Sequence, residues 1–157
     1  MRKLLVLALA VVMISVTGCG KFNDITVNDV KLGKVSPYGL RGVDVEVMVE
    51  IDNPAPTIKI SDVEAVIKYC GKVLGKVTVD PFTMNGRAVV KYDLKSRVSL
   101  AENVSLYDML MFLDNKFLEN CHLDISMKGK LRCGLSKTIK EKDIPLKKLV
   151  EYAEVKK

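Results

Sequence analysis

The chain has 157 residues, with 25 Lys or Arg against 19 Asp or Glu and a formal net charge of +6. Tryptophan is absent, only 6% of residues are aromatic, and no basic block is interleaved with aromatic side chains. This composition argues against a nucleic-acid-binding protein. The length is that of one domain with a substantial core.

The first 18 residues have the pattern of an export signal. A positive start, Met1-Arg2-Lys3, precedes an apolar run over residues 4–16. That run is shorter than the roughly 20 residues that a membrane-spanning helix needs. The next residues complete the sequence Val16-Thr17-Gly18-Cys19, which resembles the bacterial lipobox. In a lipobox, signal peptidase cleaves before a cysteine that carries a diacylglycerol thioether. A plain signal peptide cleaved elsewhere is the alternative.

The lipobox resemblance predicts a lipoprotein signal peptide over residues 1–18, a lipidated tether over residues 19–23 and one domain over residues 24–157. The covalent diacylglycerol on Cys19 would be the only cofactor, and it would attach the chain to the membrane of a bacterial cell envelope. At ~3.3–3.6 Å per residue, the tether reaches less than about 18 Å, so we expect the domain to lie close to the headgroups. Gly20, rather than Asp, after the cysteine favours the outer membrane where the cell has one.

Alternation between apolar and polar side chains dominates the rest of the chain. Every odd position in residues 43–51 is apolar and branched, and most even positions are acidic. This pattern predicts a strand with one buried and one exposed face, which ends at Asn53-Pro54 because proline cannot donate to a strand ladder. The same alternation predicts strands in residues 63–69, in residues 73–79 with a continuation over residues 82–84, in residues 88–94 and 123–127 and, more weakly, in residues 138–144.

Local signals predict where these strands turn or bend. Cys70-Gly71 is typical of a hairpin, and Asn85-Gly86 is a strong turn signal. Upstream, the apolar residues Ile25 and Val27 are at odd-numbered positions, whereas Val30 and Leu32 are at even-numbered positions. A bulge near Asn28-Asp29 would account for that change.

A helical period interrupts the β pattern over residues 106–117, where the apolar side chains fall on one stripe. Phe112 projects away from that stripe and, with Met111, forms a candidate surface for a protein partner. Residues 146–150 predict a second, short helix near the C-terminus. Together the elements predict a mainly-β protein, a β-sandwich with one mid-chain helix and a short C-terminal helix.

No constellation of residues predicts an enzyme. His122, the only histidine, is predicted on the exposed face of its strand and cannot form a multi-histidine metal site. An acidic row on one strand, Asp44, Glu46 and Glu50, suits either glycan hydrolysis or calcium binding. A solvated face balanced by lysines explains the same row, and we predict no catalytic residues and no metal.

Three cysteines follow Cys19, at positions 70, 121 and 133. They form no C-x-x-C motif, so the usual signature of a zinc site is absent. Three thiols cannot all pair within one chain. Either all three are free or two of them form one disulfide.

The order of these features resembles a known family. A strand over residues 42–51 ends in Asn53-Pro54, the run Tyr69-x-Gly71-x-x-Leu74-Gly75 follows, and an apolar helix later precedes Met127-x-Gly129. Over residues 24–144 this arrangement is similar to the late-embryogenesis-abundant subgroup 2 family, also called the water-stress and hypersensitive-response domain. Pro81 matches the family's mid-sequence proline only loosely.

The resemblance implies a seven-stranded sandwich of the immunoglobulin or fibronectin type III kind, with structural roles for Asn53, Pro54 and Gly71. It implies a link to stress tolerance and supplies no active site. The leading hypothesis is therefore a lipid-anchored, non-catalytic envelope protein. The alternatives are an accessory subunit that binds an envelope protein and, third, a glycan-acting enzyme.

Overall fold

The computed structural model describes residues 24–105 and 115–147. Within these ranges the chain is almost entirely β-structure. In chain order the elements are β1 (Thr26–Tyr38), β2 (Gly42–Asn53), β3 (Ile58–Tyr69), β4 (Lys72–Val79), β5 (Phe82–Met84), β6 (Ala88–Leu100), α1 (Asn115–Glu119), β7 (Cys121–Leu131) and β8 (Ser136–Pro145). The predicted mainly-β class is confirmed.

All strand pairs are antiparallel and form one hydrogen-bonded sheet with the order β1-β2-β6-β4-β3-β7-β8. The described residues contain eight strands where seven were predicted, because β5 follows Pro81 as a separate three-residue strand that pairs with the start of β3. β6 pairs with β2 over residues 88–99 but with β4 only over residues 96–100. The sheet therefore divides along β6 into two halves, and side chains from both halves form one core cluster.

The strand phases predicted for β2 and β7 are confirmed. The odd-numbered side chains of β2 are almost fully buried: Val45, Val47, Val49 and Ile51. Those of β7 are buried to the same degree: Cys121, Leu123, Ile125 and Met127. Because successive side chains of a strand point to opposite faces, the intervening polar residues lie on the outer face of the sheet.

The bulge predicted in β1 is also confirmed, since its register with β2 shifts between Val27 and Asp29. A second shift, between Leu32 and Val35, was not predicted. It spans Gly33, where an added Cβ would lie only 3.1 Å from the carbonyl oxygen of Glu46. The close approach of the two backbones at Gly33 has no signature in the apolar alternation.

The two predicted turns have different roles. Cys70 and Gly71 form a two-residue hairpin turn with φ of 47° and 80°, as expected for a turn that needs positive φ at both positions. Asn85-Gly86 is a turn but not a hairpin, because β5 pairs with β3 while β6 pairs with β2. This turn instead connects the two halves of the sheet.

Most of the predicted mid-chain helix lies outside the described residues, including Met111 and Phe112. The described helix α1 contains Phe117, which is buried and stacks on Tyr69 with ring centroids 4.7 Å apart. Leu146, where the second helix was predicted, is fully buried directly after β8. The remainder of that predicted helix, from residue 148, is outside the described residues.

The confirmed phase of β2 gives a matched pair of substitutions. Val47→Asp would place a carboxylate at a fully buried position without a partner, and we expect a loss of more than about 4 kcal/mol of unfolding free energy. Glu46→Ala, on the exposed face, should change it by less than about 0.5 kcal/mol. Urea unfolding of both variants measures the difference. Equal losses would contradict the observed strand phase.

Candidate functional site

The residues predicted to carry the lipid signal, Val16, Thr17, Gly18 and Cys19, precede residue 24 and lie outside the described residues. The described chain begins beside the end of β2, since Thr26 pairs with Asp52. The start of the domain is therefore located at one end of the sheet. The loop after β2, the β5–β6 turn and the β7–β8 turn lie at this same end, because Asn53 pairs with Ala88 and Ile58 with Leu131.

Asn53 is fully buried at this end and its side chain bonds three backbone groups. Its Oδ1 accepts from the Ala55 amide at 2.9 Å, and its Nδ2 donates to the Asn85 carbonyl at 3.1 Å and to that of Pro56 at 3.4 Å. Pro54 itself is exposed in the loop. The amide of Asn53 thus connects the β2–β3 loop to the turn between β5 and β6.

Gly86 packs against the same loop so closely that no larger residue fits. An added Cβ would lie 2.4 Å from the Thr57 nitrogen and 2.7 Å from the Ala55 carbonyl oxygen. The Gly86 amide donates to Thr57 Oγ1 at 3.0 Å, and the Arg87 amide donates to the Ala55 carbonyl at 3.1 Å. Gly86 is therefore required for close packing between the two halves of the sheet.

Asn53→Ala should lower the free energy of unfolding by about 2–3 kcal/mol, because it leaves buried backbone groups without partners. Asn85→Ala is the matched control: its side chain is exposed and its backbone carbonyl would still accept a hydrogen bond. We expect the control to change stability by less than about 0.5 kcal/mol. Thermal or urea unfolding compares the two. A near-neutral Asn53→Ala would show that the three bonds add little stability.

A shallow open groove of about 330 Å³ lies on the outer face of β1, β2, β6 and β4. Its main feature is a bidentate pair in which Arg97 donates to Asp44 at 2.7 and 3.1 Å. The guanidinium also lies 3.5 Å from the ring centroid of Tyr38. The hydrogen bonds from Arg97 hold the pKa of Asp44 below its usual value, so this carboxylate is not placed to act as an acid at neutral pH.

The other two carboxylates of the predicted acidic row do not form a catalytic pair either. Glu46 lines the groove, whereas Glu50 faces Lys91 at 3.7 Å. Glu46 and Glu50 are four positions apart in β2, which separates their Cα atoms by ~13 Å. Glycosidases hold their two carboxyl groups ~5–9.5 Å apart. The row is therefore too widely spaced for that chemistry.

A second polar cluster lies on the outer face of β3, β7 and β8. Asp124 forms an ion pair with Lys68 and accepts the backbone amide of Asp143 at 2.9 Å. The hydrogen bond from Lys68, followed by that amide, lowers the pKa of Asp124. His122 is half-exposed, with Nε2 4.0 Å from Asp143 Oδ1. These contacts join β3 to β7 and β7 to β8, across the bulge between Leu123 and Ile125.

The lowered pKa of Asp124 gives a pH dependence. A carboxyl group whose folded pKa lies below its unfolded value, about 3.9, contributes stability above that value and loses it as the pH falls through the folded pKa. Asp124→Asn should therefore destabilise the protein by about 0.5–1 kcal/mol at pH 7 and reduce the steepness of its acid denaturation. Asp93→Asn, at an exposed carboxylate, should leave the acid profile unchanged. Parallel acid profiles for wild type and Asp124→Asn would contradict the prediction.

All three cysteines after Cys19 are free thiols. Cys121 is fully buried at the start of β7, and its burial, with nearby Cys70, raises the pKa of its thiol to about 12. Cys70 and Cys133 are exposed, at opposite ends of the sheet. We therefore expect two reactive thiols in the folded domain and one that reacts only on unfolding.

One feature of the end where the domain begins was missed in the sequence. Exposed basic residues collect there: Lys59, Arg87, Lys130, Arg132 and Lys137. Lys130, Arg132 and Lys137 come from one hairpin, whereas Lys59 and Arg87 come from distant parts of the chain, so the local sequence indicates only part of the cluster. Strand pairing brings Lys59 to Lys130 and the β5–β6 turn to the same end.

Among residues 24–105 and 115–147, no three His, Cys, Asp or Glu side chains are grouped to hold a metal ion. None of the helical segments in these ranges has the length and apolar character to span a membrane.

No family model and no curated protein matches the chain. Among solved structures, the chain is similar to a protein from Archaeoglobus fulgidus with 9% sequence identity and a TM-score of 0.43. The match covers 75% of this chain and 94% of that one.

Proposed function

We propose that the protein is a lipid-anchored, non-catalytic domain of the bacterial cell envelope, attached through a diacylglycerol group on Cys19. The observation that carries this proposal is the short distance between the lipobox and the fold. The described chain starts at Asp24, five residues after Cys19, and enters β1 at Thr26. A tether of that length reaches less than about 18 Å, so lipid on Cys19 would hold one end of the sheet near the headgroups.

We further propose that the divided sheet is a sandwich of the immunoglobulin or fibronectin type III kind, related to the late-embryogenesis-abundant subgroup 2 family. Two residues of the quoted motif support the relation. Asn53 bonds backbone groups where Pro54 interrupts the ladder, and Gly71 adopts a φ of 80° in the β3–β4 hairpin. Both positions have conformational or hydrogen-bonding reasons for the residue type found there.

The non-catalytic part of the proposal has three supports. Asp44 is held in a bidentate ion pair, the separation of Glu46 and Glu50 is too large for a glycosidase pair, and His122 is half-exposed beside Asp143. A glycan-acting enzyme is the least supported alternative for these reasons.

The second candidate function is that of an accessory subunit that binds an envelope protein through the end of the sheet opposite Asp24. The β1–β2 turn there presents Leu40 fully exposed, with Tyr38 49% exposed at the end of β1 and Val73 40% exposed at the same end of the sheet in β4. An unpartnered apolar tip of this kind favours contact with another protein. In-cell crosslinking from position 40 should recover a specific partner if this candidate is correct, and its failure to do so would count against it.

The leading proposal predicts a mature protein that begins at Cys19 and carries the mass of a diacylglycerol group, measured by intact mass spectrometry of the membrane fraction. Cys19→Ala should abolish both the lipid and the cleavage after Gly18. Cys133→Ala removes a thiol that lies within the folded domain and should change neither. Mature protein without lipid, or a cleaved Cys19→Ala protein that stays in the membrane, would contradict the anchor.

A further inference from the structure

We propose that the end of the domain where β1 begins is a docking surface for the headgroups of anionic lipids. We call it the basic end and define it by five exposed side chains: Lys59, Arg87, Lys130, Arg132 and Lys137. The proposal rests on the lipid anchor of the previous section and adds which part of the domain contacts the bilayer and which lipids it prefers.

Strand pairing assembles the basic end from distant parts of the sequence. Lys59 lies directly opposite Lys130 in the β3–β7 ladder. Lys137, in β8, lies opposite Gly129, the residue before Lys130 in β7. Arg132 is in the β7–β8 turn. Arg87 follows the β5–β6 turn, and its amide is bonded to the Ala55 carbonyl at 3.1 Å. The bonds of Asn53 and Gly86 hold the β5–β6 turn against the β2–β3 loop. The pairing of Ile58 with Leu131 places the β7–β8 turn at the same end.

These cations are not neutralised within the described part of the chain. None of the five has a carboxylate within 4.0 Å there, although many other lysines and arginines form such pairs. Among the described residues, the acids at this end are Asp24 and Asp52, both near the β1–β2 edge. Lys59 and Lys130 lie directly opposite each other, and like charges in that arrangement destabilise a strand pair. An external anion would relieve that repulsion.

An apolar tip accompanies the charge. Leu135, in the β7–β8 turn, is 69% exposed although it is a large hydrophobic residue. The turn is closed by hydrogen bonds from the Leu131 amide to the Leu135 carbonyl at 2.8 Å and from the Gly134 amide to the Leu131 carbonyl at 3.0 Å. A rigid turn that presents an exposed leucine beside Arg132 fits the interface of a bilayer, where apolar groups bury while basic groups contact headgroups.

The anchor and the charge act at the same end. Juxtamembrane lysines and arginines are attracted to an anionic surface within about a Debye length, roughly 8–10 Å at physiological salt. The tether from Cys19 keeps the start of β1 within less than about 18 Å of the bilayer. The lipid on Cys19 therefore keeps the domain close to the bilayer. The basic end orients the domain on the bilayer and gives it a preference for anionic lipids.

Two native thiols provide the test. Cys133 lies within the basic end, whereas Cys70 lies in the β3–β4 turn at the opposite end, and both are exposed. The full lipidated protein would be reconstituted into vesicles of phosphatidylcholine alone or with one third phosphatidylglycerol, and the rates of maleimide labelling compared. In the anionic vesicles we expect Cys133 to react at least about threefold more slowly at low salt, with recovery at ~0.5 M salt because the attraction is screened. Cys70 should react equally in both.

Matched variants distinguish an effect of the basic end from an effect of the net charge of the protein. The triple variant Lys59→Gln, Lys130→Gln and Arg132→Gln should lose the protection of Cys133. A control with the same net charge, Lys34→Gln, Lys95→Gln and Lys140→Gln, alters exposed lysines away from this end and should keep it. Equal labelling of Cys133 in neutral and anionic vesicles would overturn the proposal, as would loss of protection in the control. Protection by soluble polyphosphate but not by anionic vesicles would also overturn it.

The anchor and the docking surface can fail separately. Intact mass measured before labelling reports whether Cys19 carries lipid, whereas the ratio of Cys133 rates reports on the basic end alone. If the chain carries no lipid, flotation of the full chain with anionic and neutral vesicles tests the basic end without an anchor. Salt-sensitive flotation with anionic vesicles that is lost in the triple variant would then support the surface, and its absence would overturn it.

Discussion

The buried amide of Asn53 is the constraint on which the arrangement of this molecule depends. A side-chain amide without partners would be costly at a fully buried position, and here all of its bonds go to backbone groups in the β2–β3 loop and the β5–β6 turn. Those two segments are where the chain passes between the halves of the sheet. Gly86 permits the contact, because any side chain would collide with the loop. The core between the halves follows from this closure, as does the position of the residues gathered around it.

The two ends of the sheet differ in chemistry as a result. The end closed by Asn53 receives the start of the domain and five exposed cations, together with Leu135. The opposite end has the β1–β2 turn with its fully exposed Leu40. Arg41 fastens that turn to the segment after β6 by donating to the Ala101 carbonyl at 3.0 Å and to that of Glu102 at 2.9 Å. A domain tethered near the first end would present the second away from the bilayer, so the two proposed contacts, with lipid and with a protein, do not compete for the same surface.

The outer faces of the strands have another role. Some of their charged residues form cross-strand pairs: Asp44 with Arg97, Lys68 with Asp124 and Lys76 with Glu64. Each links neighbouring strands, and the pairing lowers the pKa of Asp44 and Asp124. Carboxylates held in this way are poor general acids, and they make the middle of the sheet a solvated, balanced surface. The basic end differs from this surface in that its cations are clustered and lack a carboxylate within 4.0 Å in the described part of the chain. Position at the envelope rather than chemistry is therefore the basis of the proposed function.

Alternation in the sequence determined the β class, the buried positions of β2 and β7 and the first bulge of β1, because a two-residue period directly records which face of a strand is buried. Gly71 likewise indicated its own turn. The lipobox prediction also depends on sequence alone, since its residues precede the described part of the chain. Only the tertiary structure decided that Asn85-Gly86 joins the halves of the sheet rather than closing a hairpin, and that Asp44 is held in a bidentate pair by Arg97. The full basic end was also hidden, because strand pairing over long sequence separations adds Lys59 and Arg87 to the cations of the β7–β8 hairpin, and no local pattern encodes such pairing.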